Sequence, residues 1–206
     1  MTQNPFELHN DTLTQRVMIG LTKIGLAVKS QAWQEAGDLG ISPTQGQILA
    51  LLRSRSPARL RLSSIAQELA VTAATASDAV ATLIEKGLVE KTKAEDDRRA
   101  IAIGLTPLGS QQADTVIGWS DFLHVAVNEL SMAEQTVFLS GLTKMIRKLQ
   151  QQGHISVVRM CLTCQYFRPN TYPKSDYPHH CAFVDAPFAD QHLQIDCPDH
   201  QFSGTQ

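Results

Sequence analysis

Residues 62–105 read LSSIAQELA VTAATASDAV ATLIEKGLVE KTKAEDDRRA IAIGL, and the order of caps, turns and apolar steps in this stretch decides the fold. Ser64-Ile65-Ala66-Gln67 has a capping-box pattern, which predicts a short helix burying Ile65 and Leu69. Ala70-Val71 make a turn, and Thr72 is placed to cap a second helix from Ala73 to Lys86. That helix would bury Val80, Leu83 and Ile84, and Gly87 supplies its stop. Leu88 to Thr92 and Ala100 to Leu105 then read as two strands around a charged tip, Lys93 to Arg99.

Two short helices joined by a tight turn, followed by a hairpin, form a winged helix-turn-helix. A helix that enters the major groove presents small or polar residues at its N-terminal end, where the backbones approach. Thr72, Ala74, Thr75 and Ser77 meet that requirement. Threonine and serine hydroxyls bond base edges or phosphates, and alanine meets thymine methyls. Arg98 and Arg99 at the wing tip are candidate contacts to the neighbouring backbone or minor groove.

Working outward, a helical period runs from Asp11 to about Glu35, with Leu13, Val17, Leu21, Ile24 and Val28 on one side. Ser42-Pro43 opens another helix bearing Ile48, Leu49, Leu51 and Leu52, and Arg53 to Arg61 reads as a loop. On the far side, Thr106-Pro107 opens a long helix reaching about Leu130. Ser131 to Glu134 is a further capping box, leading a helix with Val137, Phe138, Leu142, Met145 and Ile146. The net charge of -2 gives no global support for nucleic-acid binding. A groove binder needs positive charge on one face only, and two basic clusters flank the motif: Arg53, Arg55, Arg59 and Arg61, then Lys91, Lys93, Arg98 and Arg99. No apolar run approaches the length of a membrane helix and no secretory leader is evident, so a cytoplasmic location is expected.

The stretch from Leu62 to Thr106 resembles the MarR family of bacterial regulators. The resemblance is carried by Ser64-Ile65-Ala66 and Leu69, by Thr72 to Gly87, and by Gly87-Leu88-Val89. Its most specific part is Asp97-Arg98-Arg99 followed by Leu105-Thr106 and Gly109. With the flanking helices it covers about residues 11 to 151. It implies a homodimer built from the first and last helices of that region, reading a pseudo-palindromic promoter in double-stranded DNA. It also implies that Asp97 orients a wing arginine, Arg98 or Arg99. Asp78 departs from the pattern, standing where a basic residue is frequent. Small anionic effectors bind many such regulators, and His9, Trp33, Trp119 and His124 are placed to line such a pocket; the plainer reading makes them ordinary core or surface residues.

From Ile155 the composition changes: seven of the twelve aromatic residues and all four cysteines fall in this tail. Cys161 and Cys164 form a Cys-x-x-Cys step; Cys181 follows after sixteen residues and Cys197 after fifteen more. In a reducing compartment such clustering favours a metal site over structural disulfides. Zinc held by Cys161, Cys164, Cys181 and Cys197 is expected, with His180 or His200 as substitute ligands. An iron–sulfur cluster is the alternative, and a reversible Cys161–Cys164 disulfide a third reading.

The expected fold is therefore mainly α with a small β-hairpin wing (88–105). Residues 1–154 form the DNA-binding dimer domain and 155–206 an irregular metal-binding module. The expected function is a promoter-binding regulator, in the first instance a repressor, modulated by a small ligand or by the metal or redox state of the tail. It is not expected to be an enzyme or to enter a membrane. The alternative is a metal-dependent protein-interaction adaptor whose winged helix no longer binds DNA.

Overall fold

The computed structural model describes residues 12–93, 101–156 and 158–203. Its first helix, α1 (Leu13–Asp38), is capped by Thr12 in a box with Gln15. Gly40, with φ of +63°, turns the chain into α2 (Pro43–Ser54), where Ser42 and Gln45 form a second box. A two-residue strand β1 (Leu60–Arg61) then leads directly into α3 (Leu62–Glu68) and α4 (Ala73–Glu85). Strands β2 (Val89–Lys93) and β3 (Ile101–Leu105) pair antiparallel from Val89↔Leu105 to Lys93↔Ile101. β1 joins the other edge of β3, giving a three-stranded sheet in the order β1-β3-β2.

The core lies between this sheet and the helices. Ile48, Leu49 and Leu52 of α2, Ile65 of α3 and Leu83 of α4 are each no more than 1% exposed, and Val80, Val89 and Ile103 are buried with them. Each such aliphatic side chain is worth about 1.5–3 kcal/mol when withdrawn from water, which fixes α3 and α4 on the scaffold. The apolar period read from α2 and α4 is thus their inward face.

Four local expectations need correction. Ser64 does not cap: α3 begins three residues earlier, with Arg61 at the N-cap and no side-chain cap bond, because the chain enters the helix straight from β1. The loop read over 53–61 contains that strand. The long helix from Pro107 is broken into α5 (Pro107–Ile117), a 3-10 turn at Gly118–Ser120, and α6 (Asp121–Asn128). The break seats Trp119 in the core against Gly46, where a Cβ would overlap the indole ring. Finally, the tail is not irregular throughout: β4 (Phe167–Arg168), β5 (His179–Cys181) and β6 (Ala186–Phe188) form a second antiparallel sheet.

Between these parts, α7 (Met132–Gln151) starts on the Ser131–Glu134 box read from the sequence. The tail folds against α7 and anchors on Met160, which is fully buried. By contrast, α1 buries only Ala36 among its twenty-six residues. Leu13, Val17, Met18, Ile24 and Val28 remain exposed, as do Phe122, Val125, Val137 and Phe138 on α6 and α7.

Candidate nucleic-acid interface and cysteine pocket

The second helix of the motif, α4, is oriented by its buried side. Ala76, Ala79, Val80 and Leu83 face the core, so Thr72, Ala74, Thr75 and Ser77 are left on the exposed N-terminal face. Thr72 caps the helix by accepting from the Thr75 amide at 3.1 Å, and the two hydroxyls lie 2.8 Å apart. They form one preset polar patch whose remaining hydrogen-bonding capacity points outward. At the other end, Lys86 donates to the Gly40 carbonyl at 2.8 Å, tying α4 to the α1–α2 turn. Asp78 is exposed on the same helix, beside Ser77.

The wing is braced from behind. Thr106 donates to the Gly87 carbonyl at 2.7 Å and accepts from the Gly109 amide at 2.9 Å. Gly109 lies against the Leu88 backbone, and a Cβ there would run into the Leu88 carbonyl oxygen. The Thr106–Gly109 pairing singled out in the sequence is therefore the hinge that packs α5 on the start of β2. Asp97, Arg98 and Arg99 lie outside the described residues.

The first basic cluster is not a free positive face. Arg53 pairs with Asp114 at 2.7 Å, Arg59 with Glu90 at 3.0 Å, and Arg55 with both Glu68 at 2.6 Å and Asp196 at 2.8 Å. Burial opposes the Arg55 charge, but its bonds to Asp196 and Glu68 outweigh that and hold its pKa above the ordinary value. Asp196 is likewise penalised by burial, yet bonds from Arg55 and Arg159 keep its carboxyl below the usual range. Because Arg55 ends α2 and Glu68 ends α3, Asp196 ties the tail to the first helix of the motif. Sequence reasoning missed this link, since partners 141 residues apart leave no local signal.

Cys161, Cys164, Cys181 and Cys197 all line one pocket of about 220 Å³, with Tyr166, Phe167, Phe183 and Phe188 among its walls. Cys161 and Cys164 bracket a 3-10 turn, Cys181 ends β5, and the Cys197 amide donates to the Arg159 carbonyl at 2.8 Å. The Gln194 amide donates to Cys161 Sγ at 3.3 Å. Burial raises the Cys161 pKa; that amide bond opposes the rise, and the other three thiols add to it by charge repulsion. The fold thus brings together four residues spread over more than thirty positions.

The substitute ligands are engaged elsewhere. His200 Nε2 lies 3.0 Å from the Thr163 hydroxyl, and burial lowers its pKa. His180 lies between Tyr172 and Asp185. His179, which the sequence did not single out, is buried and accepts from the Asn170 amide while its Nε2 meets Asp190 at 3.0 Å. Among the described residues no group of three or more His, Cys, Asp or Glu side chains is arranged to hold a metal ion. As for the effector pocket, Trp119 belongs to the core, Trp33 and His124 are exposed, and His9 lies outside the described residues. Among the described residues no helix is long and apolar enough to cross a membrane.

Comparison with known proteins agrees with this geometry. Residues 39–100 match the model of the MarR family. No curated protein sequence matches the chain. Among solved structures, Staphylococcus aureus MepR in its DNA-binding conformation is similar at 27% identity and a TM-score of 0.59, covering 65% of this chain and 98% of MepR. The S. aureus MepR–DNA complex is similar at 26% identity and a TM-score of 0.57, covering 68% of this chain and 100% of MepR. A further MepR structure, described as a transcription regulator of the S. aureus multidrug efflux pump MepA, is similar at 26% identity and a TM-score of 0.51, again over 68% of this chain and 100% of its own. The chain thus matches the MarR family model over residues 39–100, and its fold is similar to that of MepR in its DNA-binding conformation.

Proposed function

We propose that this protein is a cytoplasmic transcriptional regulator, acting as a repressor, that binds a pseudo-palindromic promoter site as a homodimer. The observation that carries the reading is the exposed N-terminal face of α4, where Thr72, Ala74, Thr75 and Ser77 project from a helix fixed by its buried side. A scaffold similar to DNA-bound MepR supports it. The dimer follows from α1: an isolated helix gains little in water, so twenty-six residues burying one side chain need a partner surface. A second copy would cover Leu13, Val17, Ile24, Phe122 and Val137 and place two recognition helices on successive half-sites. Arg98 and Arg99, oriented by Asp97, supply wing contacts in this reading. Occupation of the promoter is altered by a small ligand or by the metal or redox state of the tail.

Binding to the DNA upstream of its own gene, followed by fluorescence anisotropy, tests this. Affinity should fall by about a hundredfold or more between about 50 and about 200 mM salt, as phosphate contacts are screened. Thr75→Ala and Ser77→Ala should each relax base discrimination by about 1–3 kcal/mol. Salt-independent binding would rule out a groove contact. One observation favours the adaptor reading instead: Arg53, Arg55 and Arg59 are engaged with carboxylates of the same chain, and Asp78 is exposed on α4. Under that reading an Arg98→Ala, Arg99→Ala double variant would leave DNA binding as weak as in the parent.

A further inference from the structure

The four cysteines are spread around the wall of one pocket. Zinc–thiolate bonds of about 2.3 Å set the sulfurs of a tetrahedral site about 3.8 Å apart. No group of that kind exists among the described residues. Yet all four thiols face one cavity of about 220 Å³, several times the ~30 Å³ share of a water molecule. Its walls are aromatic, and a backbone amide already points at the Cys161 sulfur. A pocket lined by four thiols and by aromatic rings, with an N–H···S bond to one of the sulfurs, suits a polynuclear iron–sulfur cluster, whose thiolate ligands surround the cluster rather than one ion.

We propose that Cys161, Cys164, Cys181 and Cys197 hold an iron–sulfur cluster, and that its loading tightens DNA binding through Asp196, Arg55 and Glu68. Loading exchanges the four cysteine thiols for the four small thiolates that cap a preassembled iron–sulfide cluster: four iron–sulfur bonds form and four break, the departing thiolates take up the four thiol protons, and no electron changes hands. Cys197 then becomes fixed, and with it the adjacent Asp196, which receives bonds from Arg55 at 2.8 Å and Arg159 at 2.8 Å. Arg55 reaches Glu68 at the end of α3, and Ser156 donates to the Glu68 carbonyl at 3.4 Å. The helix that supports α4 is therefore held from two points next to the tail. Only this last step, from tail to DNA, rests on the regulator reading above.

The test uses the full chain, purified without oxygen and reconstituted with a preassembled iron–sulfide cluster capped by small thiolates. Iron and acid-labile sulfide in equal amounts, two or four per chain, with visible absorbance, are expected. Colourless protein holding one zinc, or no metal after reconstitution, overturns the site. Cys181→Ala should lose the iron; its circular dichroism and Cys197→Ser tested in parallel separate lost ligation from lost folding. Loaded protein should bind the upstream DNA about tenfold more tightly than cluster-free protein, a typical coupling between two sites. Arg55→Gln should keep the iron and shrink that ratio to about twofold. Equal or reversed affinities in the parent protein overturn the coupling. Absence of DNA binding in both forms overturns the regulator reading instead, while the iron content still decides the site.

Discussion

Replacing Arg55 by alanine removes a guanidinium that joins three parts of the molecule at once. Nη1 donates to Asp196 at 2.8 and 3.1 Å and Nη2 to Glu68 at 2.6 Å, from a side chain only 11% exposed. Hydrogen bonds to charged groups contribute about 1.5–3 kcal/mol each when desolvated. Here the carboxylates are 31% and 49% exposed, so they rehydrate once orphaned, and Asp196 keeps Arg159. The expected loss is therefore near the lower end, about 2 kcal/mol in all. For a chain of this size that lowers Tm by about 4–8 °C. The more open Arg53–Asp114 pair, 41% and 58% exposed, gives the internal control: Arg53→Ala should cost about 0.5 kcal/mol or less. Thermal and urea unfolding of Arg55→Ala, Asp196→Ala and the double variant complete a cycle, whose coupling should be about 1 kcal/mol. Amide exchange should quicken around Cys197 in both single variants. Zero coupling, or equal losses from Arg53 and Arg55, would show that Arg55 does not dock the tail.

Other expectations follow from the same geometry. Gly109→Ala drives a Cβ into the Leu88 carbonyl, so β2 or α5 must shift; a loss of about 1–3 kcal/mol is expected, with a wing displacement visible in amide chemical shifts. Leu83→Ala opens a cavity beneath α4 where the side chain is fully buried, costing about 2–5 kcal/mol by urea unfolding. Glu134 is held below its ordinary pKa by the Ser131 hydroxyl and backbone amide. A carboxylate depressed in the fold stabilises it above its unfolded pKa, about 4.3, and that contribution disappears as pH falls through the lower folded value. The start of α7 should fray in that window, read by the Glu134 amide resonance, and Ser131→Ala should flatten the dependence.

What the sequence made legible is what local rules encode. The caps at Ser42, Thr72 and Ser131, the stop at Gly87 and the apolar periods of α2 and α4 are written within four residues of where they act. They sufficed to place Thr72, Ala74, Thr75 and Ser77 on the exposed side of α4. The false cap at Ser64 shows where such rules lose: the pattern was present, but pairing of Leu60 with Ile103 sets where the chain enters α3, and the helix starts earlier. The 3-10 break at Gly118–Ser120 was invisible for the same reason, since it exists to seat Trp119 against a glycine on another helix.

The tail carries this reasoning to its end. Its cysteine spacing predicted a shared site but not its shape; the four side chains line one pocket, to which β5 brings Cys181 by pairing with both β4 and β6. Its purpose in the molecule was less legible still. Arg55 read as one member of a basic cluster flanking a DNA-binding motif, and its charge is in fact matched by Glu68 and by Asp196, one residue before the last cysteine. A tail needed only for stability could dock anywhere on α7, which it already contacts. Instead the charged link lands at the ends of α2 and α3, the elements that support α4. That position, rather than the cysteines alone, carries the proposed coupling: a change at Cys197 has a two-bond path to α3, which packs against α4.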